Sequence, residues 1–180
     1  MTQRVVVVYA SEFGSTGDVA EAIGAALREA GAAVDVRPVV DVNDLSRYDA
    51  AIIGSAIYNG RWLPEAENFV RFHAATLSRI PVAYFCVCAT VREDTPENRA
   101  AARSFLDPVL AAVPEVKPVD IGVFAGRVET HGLPVPVRLR MRLTTTLRRG
   151  DYRDWAAIRA WATQVAPLLI GDAPPEAAAR

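Results

Sequence analysis

Val5-Val6-Val7-Val8-Tyr9-Ala10-Ser11-Glu12-Phe13-Gly14-Ser15-Thr16 passes from an unbroken apolar run into a hydroxyl-rich, glycine-centred loop. Four consecutive valines read as a strand buried on both faces. Beyond the loop, Val19, Ile23, Ala26 and Leu27 recur at helical spacing, and Gly31 is placed to stop a helix running from about Ser15 to Ala30. A loop between a strand and a helix aims backbone N–H groups and the positive end of the helix dipole at one anionic group. Ser11, Ser15 and Thr16 add hydroxyl donors, Glu12 and Phe13 complete the turn, and Gly14 admits close approach or a positive φ. The loop holds no lysine or arginine and lacks the Gly-Lys-Ser/Thr signature of a triphosphate site, so a monophosphate is the expected ligand.

Outward from this point, short apolar runs alternate with helical stretches, the pattern of an α/β fold with a parallel sheet covered on both faces. Strands are expected near Val5–Tyr9, Val34–Pro38, Ala50–Gly54, Val82–Cys88 and Val119–Phe124. A second helix begins at Pro64 and carries Phe69, Val70, Phe72 and Leu77 as its apolar residues. A third begins at Thr95, an N-cap followed by Pro96 and Glu97, and carries Ala101, Phe105, Leu106 and Leu110. A last helix, Trp155 to Leu169, packs Trp155, Ile158, Trp161 and Val165. Right-handed crossovers allow a dinucleotide-type sheet or a three-layer sandwich around a five-stranded sheet of order 2-1-3-4-5, and five strands favour the second. In that order ligands bind beyond the carboxyl ends of strands 1, 3 and 4.

A chain of 180 residues suits one domain, expected over 1–170, with an Ala- and Pro-rich flexible tail over 171–180. The net charge of −1 predicts no affinity for nucleic acid. No apolar run reaches the length of a membrane span, and the first strand starts too near Met1 for a signal peptide, so the expected location is cytoplasmic. Cys86 and Cys88 alternate onto one face of a strand with Cα atoms roughly 6.5 to 7 Å apart, at the edge of disulfide reach, and read as reduced buried thiols. No metal site is expected, since His73 and His131 stand alone.

The loop after the third strand, Gly54-Ser55-Ala56-Ile57-Tyr58-Asn59-Gly60-Arg61-Trp62, combines small residues that admit a flat ligand with two aromatics, Tyr58 and Trp62, able to stack on a ring. Gly60 supplies a peptide that reorients cheaply. In the loop after the fourth strand, Ala89-Thr90-Val91-Arg92, Thr90 and its backbone neighbours can hydrogen-bond a polar ring edge and Arg92 can meet negative charge. Glu93 and Asp94 also favour the start of the next helix.

The hydroxyl-rich loop, the Tyr48-Asp49-Ala50-Ala51-Ile52-Ile53-Gly54-Ser55 strand and the glycine-aromatic loop after it resemble the flavodoxin family. The resemblance implies a flavodoxin-like three-layer sandwich, FMN as cofactor, its phosphate in Ser11–Thr16, and its ring between Ala56, Ile57, Tyr58, Asn59, Gly60 and Trp62 on one side and Ala89, Thr90, Val91 and Arg92 on the other. Other occupants of related folds fit worse. A phosphoacceptor receiver needs an aspartate where Gly54-Ser55 stands, and a dinucleotide fold needs Gly-x-Gly-x-x-Gly. Phe69-Val70-Arg71-Phe72-His73-Ala74, Ile80-Pro81-Val82-Ala83, Phe124-Ala125-Gly126 and Tyr152-Arg153-Asp154-Trp155 are similar to the flavodoxin-like, quinone-dependent protoporphyrinogen IX dehydrogenases.

Val137-Arg138-Leu139-Arg140-Met141-Arg142-Leu143 alternates apolar and basic residues, suiting a strand, while Leu139, Leu143 and Leu147 suit one helix face. Arg138, Arg140 and Arg142 could hold the propionates of a tetrapyrrole, or make a peripheral contact with anionic lipid at the inner face of the membrane, where a quinone resides. A solvated charged excursion is the plainer reading. The expectation is an FMN oxidoreductase oxidising protoporphyrinogen IX or a similar reduced substrate with a quinone acceptor. The alternatives are an electron carrier served by a redox partner protein and a non-catalytic binding module on the same fold. No catalytic side chain is singled out, and a homo-oligomer is compatible with each reading.

Overall fold

The valine run forms β1 (Arg4–Ala10), with Val5 to Val8 wholly buried. The structure is a computed structural model and describes residues 2–12, 14–128 and 150–171. Helix α1 (Ser15–Glu29) returns the chain to β2 (Ala33–Pro38), ending where the sequence predicts: Gly31 takes φ 94°, and the Ala32 N–H donates to the Leu27 carbonyl at 3.1 Å, so the last turn keeps its acceptors satisfied. Strand β3 (Ala50–Tyr58) turns into a two-residue β4 (Arg61–Trp62), followed by α2 (Pro64–Phe72) and the single turn α3 (Ala74–Leu77). Next come β5 (Val82–Cys88), α4 (Pro96–Ser104), α5 (Asp107–Ala112) and β6 (Asp120–Ala125). The short β7 (Arg127–Val128) and β8 (Gly150–Asp151) pair antiparallel, and α6 (Trp155–Ile170) follows.

The five parallel strands lie in the order β2-β1-β3-β5-β6, which is 2-1-3-4-5 once β4, antiparallel to β3, is set aside. One face of the sheet packs Val5, Val7, Ile52 and Phe85 against Val19, Ile23 and Leu27 of α1 and Ile158, Ala162 and Val165 of α6. The other packs Val6, Val8, Ile53 and Tyr84 against Val70 of α2, Ala102 of α4 and Val109 of α5. Burial of two apolar faces explains why the central strands carry almost no polar residue.

Several details depart from the sequence reading. Strand β3 continues through Tyr58, so Gly54 and Ser55 belong to the sheet and not to the loop. Ser55 is fully buried; its hydroxyl donates to the Ala56 carbonyl and accepts from the Leu63 N–H at 2.9 Å, tying the start of α2 back onto β3. The expected second helix breaks at His73 (φ −97°, ψ 10°), which leaves Phe72 on the surface at 80% exposed instead of in the core. The third breaks where Pro108 opens α5, and Ala102, not Ala101, faces the core. Thr95 caps α4 as expected, accepting from the Asn98 N–H. Trp155 is partly exposed and stacks under the Arg153 guanidinium at 4.5 Å. Among the described residues, no helix is long and apolar enough to cross a membrane.

His73 is buried between Phe69 and Phe72, and that burial depresses its pKa, opposed by a hydrogen bond to the Val42 carbonyl and by the charge of Asp44. The unfolded chain therefore binds a proton that the folded chain resists. Stability attached to His73 is full above the unfolded value of about 6.5 and is lost as pH falls through it toward the lower folded value. The thermal midpoint should thus fall as pH drops from about 7 to about 5 in the natural chain. His73→Gln should flatten that part of the curve.

Candidate functional site

Beyond the carboxyl ends of β1, β3 and β5 three segments converge, because Ala10 pairs with Ser55 and Ala56 with Val87 in adjacent strands. The first is the turn from Ser11 into α1. Gly14 takes φ 86°, a left-handed conformation costly for a side chain, and its N–H donates to the Ser11 hydroxyl at 2.9 Å. Its carbonyl accepts from the Gly17 N–H at 3.0 Å and starts the helix. The N–H groups of Ser15 and Thr16, in the first turn, have no acceptor within the helix by geometry. The Thr16 hydroxyl is fully buried and has no hydrogen-bond partner among the described residues. Glu12 is exposed and Phe13 lies outside the described residues. Donors without acceptors, at the positive end of a 15-residue helix, make a receptacle for an anion.

The second segment is a tight hairpin. Asn59 (φ 50°) and Gly60 (φ 73°) both occupy the left-handed region, the signature of a two-residue turn between β3 and β4, with Tyr58 opposite Arg61 and Ile57 opposite Trp62. This turn separates the two aromatics that the sequence puts side by side. Tyr58 is presented to solvent at 59% exposure, whereas Trp62 is turned into the core at 2%, edge-on to Tyr84 with ring centroids 5.4 Å apart. Trp62 therefore supports the hairpin from beneath, and Tyr58 is the aromatic left on the surface. Ala56 and Ile57 are half-buried at the base.

The third segment is a 3-10 turn over Thr90–Arg92, with Ala89 exposed, Thr90 and Arg92 half-buried and Val91 in the core. The fully buried β5 aims this turn at the same end of the sheet as the hairpin. A cleft of about 200 Å³ opens beside it, bounded by Val91, Arg92, Asp94, Phe124 and Tyr152 among others.

A fourth element had no counterpart in the sequence reading. Strands β7 and β8 bring together the two ends of residues 129–149, and the Tyr152 N–H donates to the Gly126 carbonyl at 3.3 Å. Gly126 itself lies against Ser15: a Cβ there would stand 3.6 Å from the Ser15 hydroxyl. Arg153 locks the stem in place. Its side chain is 6% exposed, and its guanidinium contacts Asp151 at 2.5 Å and Asp18 of α1 at 2.7 Å and stays protonated far above the ordinary range because of these two carboxylates. The contact with Asp18 spans 135 positions in sequence, so no local pattern announces it. Arg153→Gln removes the bidentate contact and the ring stacking and should destabilise the chain by about 2 kcal/mol, read as a fall in thermal midpoint. Arg138, Arg140 and Arg142 lie outside the described residues.

The donor set fits an FMN phosphate: hydroxyls of Ser11 and Ser15, backbone N–H groups around Gly14, and an orphaned Thr16 hydroxyl, with Gly14 leaving open space where a Cβ would stand.

A family model described as a flavodoxin domain matches residues 6–154. The chain is 24% identical over 178 residues to the protoporphyrinogen IX dehydrogenase [quinone] of Escherichia coli (strain K12), covering 92% of this chain and 96% of that protein. It is 26% identical over 185 residues to the protein of the same name from Leishmania major, covering 95% and 78%. Among solved structures, a flavodoxin from the domain Archaea superposes with a TM-score of 0.58 at 17% identity, covering 92% of this chain and 98% of that one. An NADH:FMN oxidoreductase in its apo form gives 0.55 at 16% identity, covering 96% and 92%. The two superpositions speak to the fold alone. The matched residues 6–154 run from β1 through the anion receptacle, the hairpin and the turn after β5 to the Arg153 stem, and the chain belongs to the flavodoxin domain family.

Proposed function

We propose that the protein is an FMN-dependent oxidoreductase that takes electrons from protoporphyrinogen IX or a similar reduced substrate and passes them to a quinone. The observation that carries this reading is the receptacle at the start of α1, with its buried unpartnered Thr16 hydroxyl, set beside the hairpin and the turn after β5. The two relatives that align over nearly the whole chain supply the substrate and acceptor classes.

FMN supplies reversible electron and hydride transfer at its ring. The chain's own part is binding and orientation. Ser11, Ser15, Thr16 and the N–H groups near Gly14 would hold the phosphate, with Glu12 and Phe13 proposed from the same stretch of sequence. Ala56, Ile57, Tyr58, Asn59 and Gly60 border one side of the ring, with Trp62 bracing the hairpin from the core. Ala89, Thr90, Val91 and Arg92 border the other. No side chain at these loops is assigned a proton transfer. Sites that enclose drug-sized ligands run to roughly 300–1,000 Å³. The cleft beside Tyr152, at about 200 Å³, is too small to enclose a tetrapyrrole, which would have to lie across the mouth of the site. Arg138, Arg140 and Arg142, on the segment that leaves and re-enters at the β7–β8 stem, are the proposed partners for its propionates or for an anionic lipid surface.

The test is an anaerobic assay of the FMN-loaded protein with protoporphyrinogen IX, with and without a menaquinone analogue. Oxidation that depends on the quinone is expected. Failure with this substrate, alongside rapid reduction by a flavodoxin reductase, would make the protein a carrier. A chain that takes up no FMN would be a binding module. Changing Arg138, Arg140 and Arg142 together to alanine should raise the KM for the tetrapyrrole or weaken binding to anionic vesicles, and no change in either would return them to ordinary surface.

A further inference from the structure

The first turn of α1 carries an acid at the end where an anion is to be received. Asp18 follows Ser15 by three positions, so the two share one face of the helix, and its N–H donates to the Gly14 carbonyl at 3.4 Å. A carboxylate there suits the helix dipole but opposes a second negative charge brought to the same end. Ser11 to Thr16 holds no lysine or arginine to offset it. The offset comes from the far end of the chain. Gly126, just before β7, lies beside the Ser15 hydroxyl, and Arg153, just after β8, donates to Asp18 at 2.7 Å, so both meet the same face of α1.

Arg153 is held too firmly to reach an anion itself. Its Nε and Nη2 donate to the two oxygens of Asp151 at 2.7 and 2.5 Å, its Cζ lies 4.5 Å from the centre of the Trp155 ring, and the side chain is 6% exposed. The guanidinium is engaged by two carboxylates and reaches the receptacle only through Asp18. Arg127 stands opposite Asp151 across the β7–β8 pair and adds a second cation to the group. Two guanidiniums set against Asp18 and Asp151 leave no net charge, and the dipole of α1 then faces an anion uncancelled.

We infer that Arg153 is a positioning residue for the phosphate of the cofactor: by pairing with Asp18 it cancels the acidic charge in the first turn of α1, and so lets a loop without cations of its own accept a dianion. This role depends on FMN being the ligand proposed for the site, and it names the group that sets the preference for the phosphorylated flavin. Charge is what Arg153 contributes to binding, and shape is what it contributes to stability.

The experiment titrates the flavin-free full chain with FMN and with riboflavin, with a thermal melt to show that each variant is folded at the titration temperature. The ratio of the two affinities isolates the phosphate, which riboflavin lacks. Arg153→Gln should lower the preference for FMN about three- to tenfold at low salt, the scale for one uncancelled charge near a dianion at a protein surface. Arg153→Lys keeps the charge without the bidentate contact, and should lower the thermal midpoint while keeping the preference. Asp18→Asn, at a side chain 55% exposed, should raise the preference by a similar factor, and with Arg153→Gln it should restore the natural value. These differences should shrink in about 1 M salt, where the screening length is about 3 Å. Should Arg153→Gln not fold, Asp18→Asn alone decides. A natural chain that binds the two flavins alike would remove both the FMN reading and this role of Arg153. A natural preference for FMN that Asp18→Asn and Arg153→Gln leave unchanged, or that Arg153→Lys loses as fully as Arg153→Gln, would overturn the role of Arg153 alone.

Discussion

Gly54→Ala is expected to destabilise the protein by about 3 kcal/mol and to lower its thermal midpoint by roughly 10 °C. A Cβ at Gly54 would stand 2.0 Å from two atoms of the Phe85 ring. Phe85 is fully buried directly opposite Gly54 on the neighbouring strand, and its ring lies against that of Phe124 with centroids 6.4 Å apart, so it cannot swing clear without displacing the packing against α1 and α6. Overpacking of this kind is relieved only by giving the volume back. Gly54→Ala combined with Phe85→Leu should recover a large part of the loss in a thermal or urea melt. Equal destabilisation of single and double variants would show that Gly54 matters for a reason other than the ring.

Thr16→Val should act in the opposite sense on the empty chain. The Thr16 hydroxyl is buried without a partner, and an unsatisfied hydroxyl costs free energy, so an isosteric apolar side chain should leave the flavin-free protein as stable as before or more so. The same change removes a donor to a charged phosphate, worth about 1.5–3 kcal/mol, and should weaken FMN binding roughly 10- to 100-fold. Riboflavin, which has no phosphate, should bind both chains alike. Stability by thermal melting and affinity by fluorescence titration read the two effects separately.

These two residues mark what a sequence can and cannot disclose here. The placement of Thr16 is legible because it is local: a strand, a turn with Gly14 and a helix start lie within a few positions. The strand order is legible for a similar reason, since apolar runs and helical spacing are local patterns and the crossover rule does the rest. Gly54 is legible as a strand residue but not in what its small size is for. In sequence its small size suits a flat ligand, but β3 runs on to Tyr58, and the space that glycine leaves is filled by a ring from an adjacent strand. Trp62 is a related case. The left-handed pair Asn59-Gly60 reverses the chain, and whether the tryptophan then faces ligand or core depends on Tyr84, which sequence proximity does not reveal. Phe72 left the helical pattern because the helix ends at His73, with no Gly or Pro to announce the break. Arg153 sits in the Tyr152-Arg153-Asp154-Trp155 stretch, and its partner Asp18 lies at the other end of the chain.

The start of α1 is proposed to hold the monophosphate of a flavin. Titrating the flavin-free natural chain with FMN and with riboflavin tests it most directly. Binding of FMN at least about 100-fold tighter than riboflavin is predicted, since the hydroxyls and N–H groups of the receptacle act only on the phosphate. Equal affinity for the two, or binding of neither, would contradict it.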